Sequence, residues 1–385
     1  MKYNIWNKWD PLKVCMLGNN YAPEFFNGIP DKAGDPLKRI CEETLEDLEG
    51  YKRILQDFGV TVIQPDMDRS ERFKDNPSRY PRGPLQPRDY QLVLGNTCFV
   101  NKGDHPAIYE KLKKYGPVVS SSDLINNVPY YWTEHSYNII KGADFPTYEK
   151  FLENKSNPDY FLDFVWEELL HYSDGIKGIS SAVTFMVGKR LYMGVIDPGI
   201  EITDKVNVQQ SYKDFPEFNK FDIYLTSMDG HSDGNFHPIK PGVILSLNDV
   251  QTYSNTFPGW DVCYLPDQSW SKVKPFLDVK RKNQGKWWLA GEENNDEFTN
   301  FVETWLQDWV GYVEETVFDV NVLMLDEHHC CVSNSNNEQV NTFLKKHKIE
   351  PVYVPWRHRY FWDGGLHCIT LDLYREGVQQ DYFGD

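Results

Sequence analysis

Val322-Leu323-Met324-Leu325-Asp326-Glu327-His328-His329-Cys330-Cys331-Val332 reads as a β-hairpin, two apolar runs around a short polar turn. The residues that follow predict a helix over about 338–347 and a strand over 352–354, so the whole is a hairpin–helix–strand unit. The same device recurs at Gln91-Leu92-Val93-Leu94-Gly95-Asn96-Thr97-Cys98-Phe99-Val100 and at Thr184-Phe185-Met186-Val187-Gly188-Lys189-Arg190-Leu191-Tyr192-Met193. Identity between the copies is slight, so the repeat lies in the pattern of elements. A chain built from ββαβ units belongs to the α/β class.

Outward from these hairpins, Lys13–Leu17 is a short apolar strand closed by Gly18-Asn19-Asn20. Leu37, Ile40, Cys41, Leu45, Leu48, Tyr51, Ile54, Leu55 and Phe58 fall at helical spacing, with Gly59 as the stop and a strand at Val60–Ile63 beyond it. Residues 66–88 are rich in Pro, Arg and Asp and read as a long loop, of a length more often functional than idle. Residues 145–175 read as an aromatic, acidic helical region. The Trp-rich, charged stretch 268–316 holds a helix near Phe298–Val310. With no low-complexity linker, one domain over residues 1–385 is expected.

The 385 residues carry a formal charge of −17, which argues against a general nucleic-acid or acidic-membrane partner and suits capture of a small cation. Seven cysteines, odd in number and irregularly spaced, indicate a reduced, intracellular chain rather than a disulfide framework. The first residues hold no apolar signal core, and no run approaches the roughly 18 apolar residues of a membrane span. A soluble, cytoplasmic protein is the expectation. His329 and Cys331 share a strand face, but without a spaced second pair they do not make a zinc site. Neither a G-x-G-x-x-G fingerprint nor a P-loop is present.

The chemistry concentrates at strand ends. Near the end of the chain a strand (Pro351–Val354) runs into the aromatic, basic loop Pro355–Trp362, followed by Asp363, Gly364-Gly365, Cys368 and the strand-like Ile369–Leu373. Paired glycines permit positive φ and a close approach, so Cys368 stands where a nucleophile could be presented; the bland alternative is a core cysteine. Asp229-Gly230-His231-Ser232-Asp233 precedes an apolar strand at Val243–Leu245, and on an extended segment His231 and Asp233 would face the same way. Pro87-Arg88-Asp89 stands before the first hairpin and Ser180-Ser181-Ala182 before the second. A histidine, a carboxylate and a cysteine are the minimal set for thiolate catalysis. A surface histidine and turn-capping aspartates are the alternatives.

Together these pieces resemble the glycine amidinotransferase family of the guanidine-modifying superfamily. The resemblance rests on Trp6-Asn7-Lys8-Trp9-Asp10-Pro11-Leu12, Phe58-Gly59-Val60-Thr61-Val62, Arg88-Asp89, Gly95-Asn96, His231-Ser232-Asp233, Pro241–Ser246, Asn321–Glu327 and Gly364-Gly365-Leu366-His367-Cys368, in order along nearly the whole chain. It implies an α/β-propeller of five pseudo-symmetric ββαβ modules around a polar channel. It further implies Cys368 as nucleophile, His231 as general acid/base, and Asp89 and Asp233 as the grip on a guanidinium. The implied partners are arginine as amidino donor and a small amine, glycine first, as acceptor. No cofactor or metal is implied, and a homodimer is the expected assembly.

Three positions depart from the family. Where it carries an acidic residue to orient the histidine, this chain has Ser181. Asp363 stands in place of a third glycine, and residues 268–318 are longer than the corresponding link. Either another acid orients His231 or the chemistry is altered. A guanidino-group hydrolase and a guanidino-compound binder without turnover are therefore alternatives to the transferase.

Overall fold

Each hairpin read from the sequence is present, and each is extended by a third strand running parallel to its second. The computed structural model describes residues 2–67, 82–100, 105–120, 184–195, 217–227, 231–247, 256–265, 288–306, 309–310 and 319–384. The readings at Ser181, over 145–175, and over much of 66–88 and 268–318 lie outside the described residues.

β1 (Leu12–Leu17) runs parallel to β2 (Thr61–Ile63). The second sheet holds β3 (Gln91–Leu94), β4 (Thr97–Val100) and β5 (Val118–Ser120). The third holds β6 (Thr184–Val187), β7 (Arg190–Val195) and β8 (Asp222–Ser227). The fourth holds β9 (Phe236–Lys240), β10 (Val243–Ser246) and β11 (Asp261–Tyr264), and the fifth β12 (Leu323–Asp326), β13 (His329–Val332) and β14 (Glu350–Tyr353). β15 (Thr370–Arg375) lies antiparallel to β1 and completes the first sheet. Among the described residues there are thus five three-stranded sheets, each with an antiparallel and a parallel pair sharing the middle strand.

The turns follow from their residues. Gly95 takes φ +55°, and a β-carbon there would lie 2.7 Å from the Trp6 ring, so both conformation and space demand glycine. The β12–β13 turn has no glycine; Asp326 Oδ1 accepts from the His328 N–H at 2.7 Å and closes it as an Asx turn. The hairpin β9–β10 is read from sequence only as its second strand, because Pro238 interrupts the first.

α1 (Asp31–Asp57) begins before the expected Leu37 and buries Leu37, Ile40, Cys41, Leu48, Tyr51 and Leu55 along one face. α2 (Pro106–Tyr115) joins β4 to β5. A single helical turn, α3 (Ser232–Asn235), precedes β9. α4 (Asp296–Trp305) stops short of the expected Val310 and is capped by Asn295, whose side chain accepts from Phe298 N. α5 (Glu338–Lys346) is capped in the same way by Asn337. α6 (Arg359–Trp362) turns the expected aromatic loop into a short helix.

The largest core cluster positions the site. It joins α1, β1 and α4 to Trp356, Phe361, Trp362 and Leu366 of the segment that carries Cys368. Trp362 is fully buried, stacks on Trp309 at 5.6 Å and donates from Nε1 to Thr44 Oγ1 at 2.8 Å. Burying such a ring is worth about 1.5–3 kcal/mol relative to leaving it in water, so this segment is anchored before it reaches the cysteine.

Candidate active site

The Cys368 loop is held from three directions. Gln86 Nε2 donates to the carbonyls of Trp362 (2.9 Å) and Asp363 (3.0 Å), and Trp356 Nε1 donates to Gly364 O (2.7 Å). Arg88 Nε donates to His367 O at 2.8 Å. The two glycines do not adopt the positive φ expected of them. Asp363 takes the left-handed conformation instead, at φ 48° and ψ 50°. The glycines provide room: a β-carbon on Gly364 would strike Gln86 Nε2, and one on Gly365 would lie 2.5 Å from Asn321 Oδ1.

Cys368 is buried, and its sulfur sits between an amide and a carboxylate. Asn321 Nδ2 donates to Sγ at 3.0 Å, while Sγ–H donates toward Asp233 Oδ2 at 3.7 Å. Asn321 Oδ1 accepts from the backbone N–H of both His367 (2.9 Å) and Cys368 (3.1 Å). Burial and the carboxylates of Asp233 and Asp89 push the thiol well above its ordinary value, partly opposed by N–H bonds from Gly365 and Asn321. In the free protein the thiol is therefore protonated.

His231 and Asp233 do not share an extended face. His231 caps α3 with its side chain half exposed, and Asp233 lies buried within that helical turn. The cause is local: Ser232–Asn235 close a turn of helix, so the two-residue alternation of a strand does not apply. Both nonetheless line one cavity of about 40 Å³, together with Lys8, Arg88, Asp89, His367 and Asp372. Within it His231 Nδ1 lies 3.8 Å from Asp89 Oδ1, and His367 Nδ1–H donates to Asp233 Oδ2 at 2.7 Å. Burial raises the Asp89 carboxyl above the usual range.

Beneath lies a second charged layer. Arg88 Nη2 meets Asp372 Oδ1 at 2.7 Å, and Arg375 Nε meets Asp372 Oδ2 at 2.8 Å. Burial opposes the charge on Asp372, but Arg375 and Arg88 outweigh it and hold the carboxyl well below the usual range. Burial, with Arg88 alongside, pushes the Lys8 ammonium down to about 8. Burial likewise keeps His237 and His367 neutral, pushing both well below the ordinary histidine value. Among the described residues no three His, Cys, Asp or Glu side chains converge so as to hold a metal.

Of the residues read from sequence, Asp233, Asp89 and His231 line one small cavity, and Cys368 is linked to it through Asp233. Asn321, His367, Lys8 and Gln86 were not singled out. The signal for Asn321 was its place directly before an apolar strand of the resemblance, and for His367 its position beside the cysteine.

No protein-family profile matches the chain. Glycine amidinotransferase (mitochondrial) of Xenopus tropicalis is 23% identical over 403 residues, covering 98% of this chain and 84% of the relative. The L-arginine:L-lysine amidinotransferase of Pseudomonas savastanoi pv. phaseolicola is 22% identical over 40% of this chain. Among solved structures, an amidinotransferase of Microseira wollei in the saxitoxin biosynthetic pathway superposes with a TM-score of 0.60 at 18% identity, covering 99% of both chains. Over nearly its whole length the chain is similar to amidinotransferases. The inosamine-phosphate amidinotransferase of Streptomyces griseus has the same fold, with a TM-score of 0.57 at 16% identity and 99% coverage of each chain. The mixed α/β architecture of this chain is therefore the one these two solved structures share. No helix among its described residues is long and apolar enough to cross a membrane.

Proposed function

We propose that the chain is a cysteine-dependent amidinotransferase that moves the amidino group of arginine to a small amine, glycine first. The observation that carries this reading is that Asp233, Asp89 and His231 line one small cavity while the Cys368 sulfur lies 3.7 Å from Asp233 Oδ2. Glycine as acceptor is supported by the name of its vertebrate relatives. The five sheets are taken to close as a five-module propeller around this space, in a single domain with an insertion at about 268–318. The cytoplasm is the proposed location.

A guanidinium is planar, permanently charged and fork-shaped, and paired carboxylates match it. Asp89 and Asp233 flank the donor's guanidinium, whose charge offsets the two carboxylates that hold the thiol protonated. The thiol then gives its proton to His231, and the sulfur attacks the guanidino carbon, forming a C–S bond and a neutral tetrahedral adduct. The C–N bond to the ornithine nitrogen breaks as protonated His231 gives that nitrogen a proton, leaving a cationic amidino-Cys368. The acceptor amine attacks the same carbon and yields a proton to His231. The C–S bond then breaks, restoring the thiolate. Asp89, beside His231, is the acid that steadies the imidazole in this chain.

The test is mass analysis of products after incubation with arginine and a mixture of amines that includes glycine. Ornithine with a guanidino product is expected, and the product mass names the acceptor. Citrulline would move the assignment to a hydrolase. Bound arginine without product would leave a binder.

A further inference from the structure

In thiol and serine enzymes that act on carbonyl groups, backbone N–H groups at the nucleophile point at the oxygen that becomes negative. Here the N–H groups of His367 and Cys368 both end on Asn321 Oδ1, at 2.9 and 3.1 Å. The sulfur has donors of its own, Asn321 Nδ2 at 3.0 Å and the N–H of Gly365. Asn321 is fully buried and also donates from Nδ2 to Asp233 O at 3.4 Å. Its seat depends on Gly365, where a β-carbon would lie 2.5–2.8 Å from the Asn321 side chain.

We propose that Asn321 is a catalytic residue that restricts Cys368 to cationic amidine and guanidine carbons. Its amide, with the Gly365 N–H, seats the thiolate, while its carbonyl occupies the donors that an oxyanion would need. The electron balance fits this division. A thiolate adding to a guanidinium gives a neutral adduct that needs no oxyanion donors. A thiolate adding to an ester gives an anionic one, which finds the nearest backbone donors already engaged. The proposal rests on the reading of Cys368 as nucleophile, and it defines the substrate by the charge of the attacked carbon.

The test uses the full chain and two probes that are not guanidines, each read from the mass of the Cys368 peptide. Iodoacetamide, applied across a range of about pH 6 to 10, reports the thiolate. p-Nitrophenyl acetate reports acyl transfer. The carboxylates acting on the sulfur are Asp233 on α3 and Asp89 before β3, with His367 bonded to Asp233, and all remain in each variant. Asn321→Asp keeps an oxygen for the two N–H groups and loses the donor. Its alkylation limb should move to higher pH, and acylation should stay at the wild-type level. Asn321→Ala frees the two N–H groups, and acylation of Cys368 should rise about tenfold or more. An unchanged alkylation profile in Asn321→Asp, or acylation of Asn321→Ala no faster than wild type, would overturn the proposal. If the alanine variant does not fold, the aspartate variant decides. Failure of the amidinotransferase reading appears separately, as wild-type protein that makes no guanidino product from arginine.

Discussion

His231 Nδ1 lies 3.8 Å from Asp89 Oδ1, so a half-exposed imidazole has a largely buried carboxylate at its side. Asp89→Asn removes that charge and weakens both the orientation of His231 and the hold on a guanidinium. kcat/KM for arginine should fall about 10²-fold or more. The acid limb of the wild-type rate profile should include Asp89, because burial raises its carboxyl and its negative charge disappears as pH falls through that raised value. Rate profiles of wild type and Asp89→Asn test this; an acid limb unaltered in the variant would sink it.

Cys368→Ala should abolish turnover and leave arginine binding in place, since Asp89 and Asp233 remain. Calorimetric titration beside a product assay separates the two. Full activity in this variant would remove Cys368 from the mechanism.

Gly365→Ala should act on Asn321, because the added carbon meets that side chain and not open space. Displacing the Asn321 amide from the sulfur should lower kcat by about 10²-fold with little change in KM. A KM effect alone would mean that the glycine serves substrate access.

Lys8, pushed down to about 8, lines the same cavity as Asp89 and Asp233, the proposed grip on a guanidinium. Its positive charge repels a guanidinium, so arginine should bind more tightly as pH rises through that value, and Lys8→Met should flatten the trend. The folded pKa is below the ordinary lysine value of about 10.4. The unfolded chain then holds more protons between the two, and stability should rise with pH across that window. Binding isotherms on either side of pH 8 check the first point, and chemical denaturation the second.

Asp372 gives a slope of the same sign, in the acid range. Its carboxyl lies below the ordinary aspartate value of about 3.9, so the stability it contributes is present above that value and is lost as pH falls below it. Arg375→Met leaves the buried Asp372 with Arg88 alone and should cost about 3–5 kcal/mol. Urea titrations at neutral and acid pH provide the measurement. A variant as stable as wild type would show that Arg375 contributes no net stability.

Much of this fold is written in local pattern. Three hairpins, α1 and α5 follow from apolar spacing and from Gly95 and Gly59, since those signals are written within a few residues. What depends on distant partners was not legible. The antiparallel pairing of β15 with β1 joins opposite parts of the chain without a turn to announce it. Neither neighbouring sequence nor composition says that Asn321 would reach Cys368 or that Gly365 makes space for it. Cys368, His231, Asp89 and Asp233 stand out by side-chain type, whereas Asn321 and Gln86 matter only through where the fold puts them.

The pairing of β15 with β1 also sets an order of events. Asn4 Nδ2 reaches Arg375 O across 371 positions, a loop closure whose entropy is met only when both strands are in place. β15 begins just after Cys368, so this thiol takes its seat with that last closure. A chain still being synthesised lacks β15 and so holds no assembled thiol site. Catalytic competence is therefore acquired in a single late step, and recovery of activity on refolding should follow the slowest structural phase rather than the formation of the hairpins.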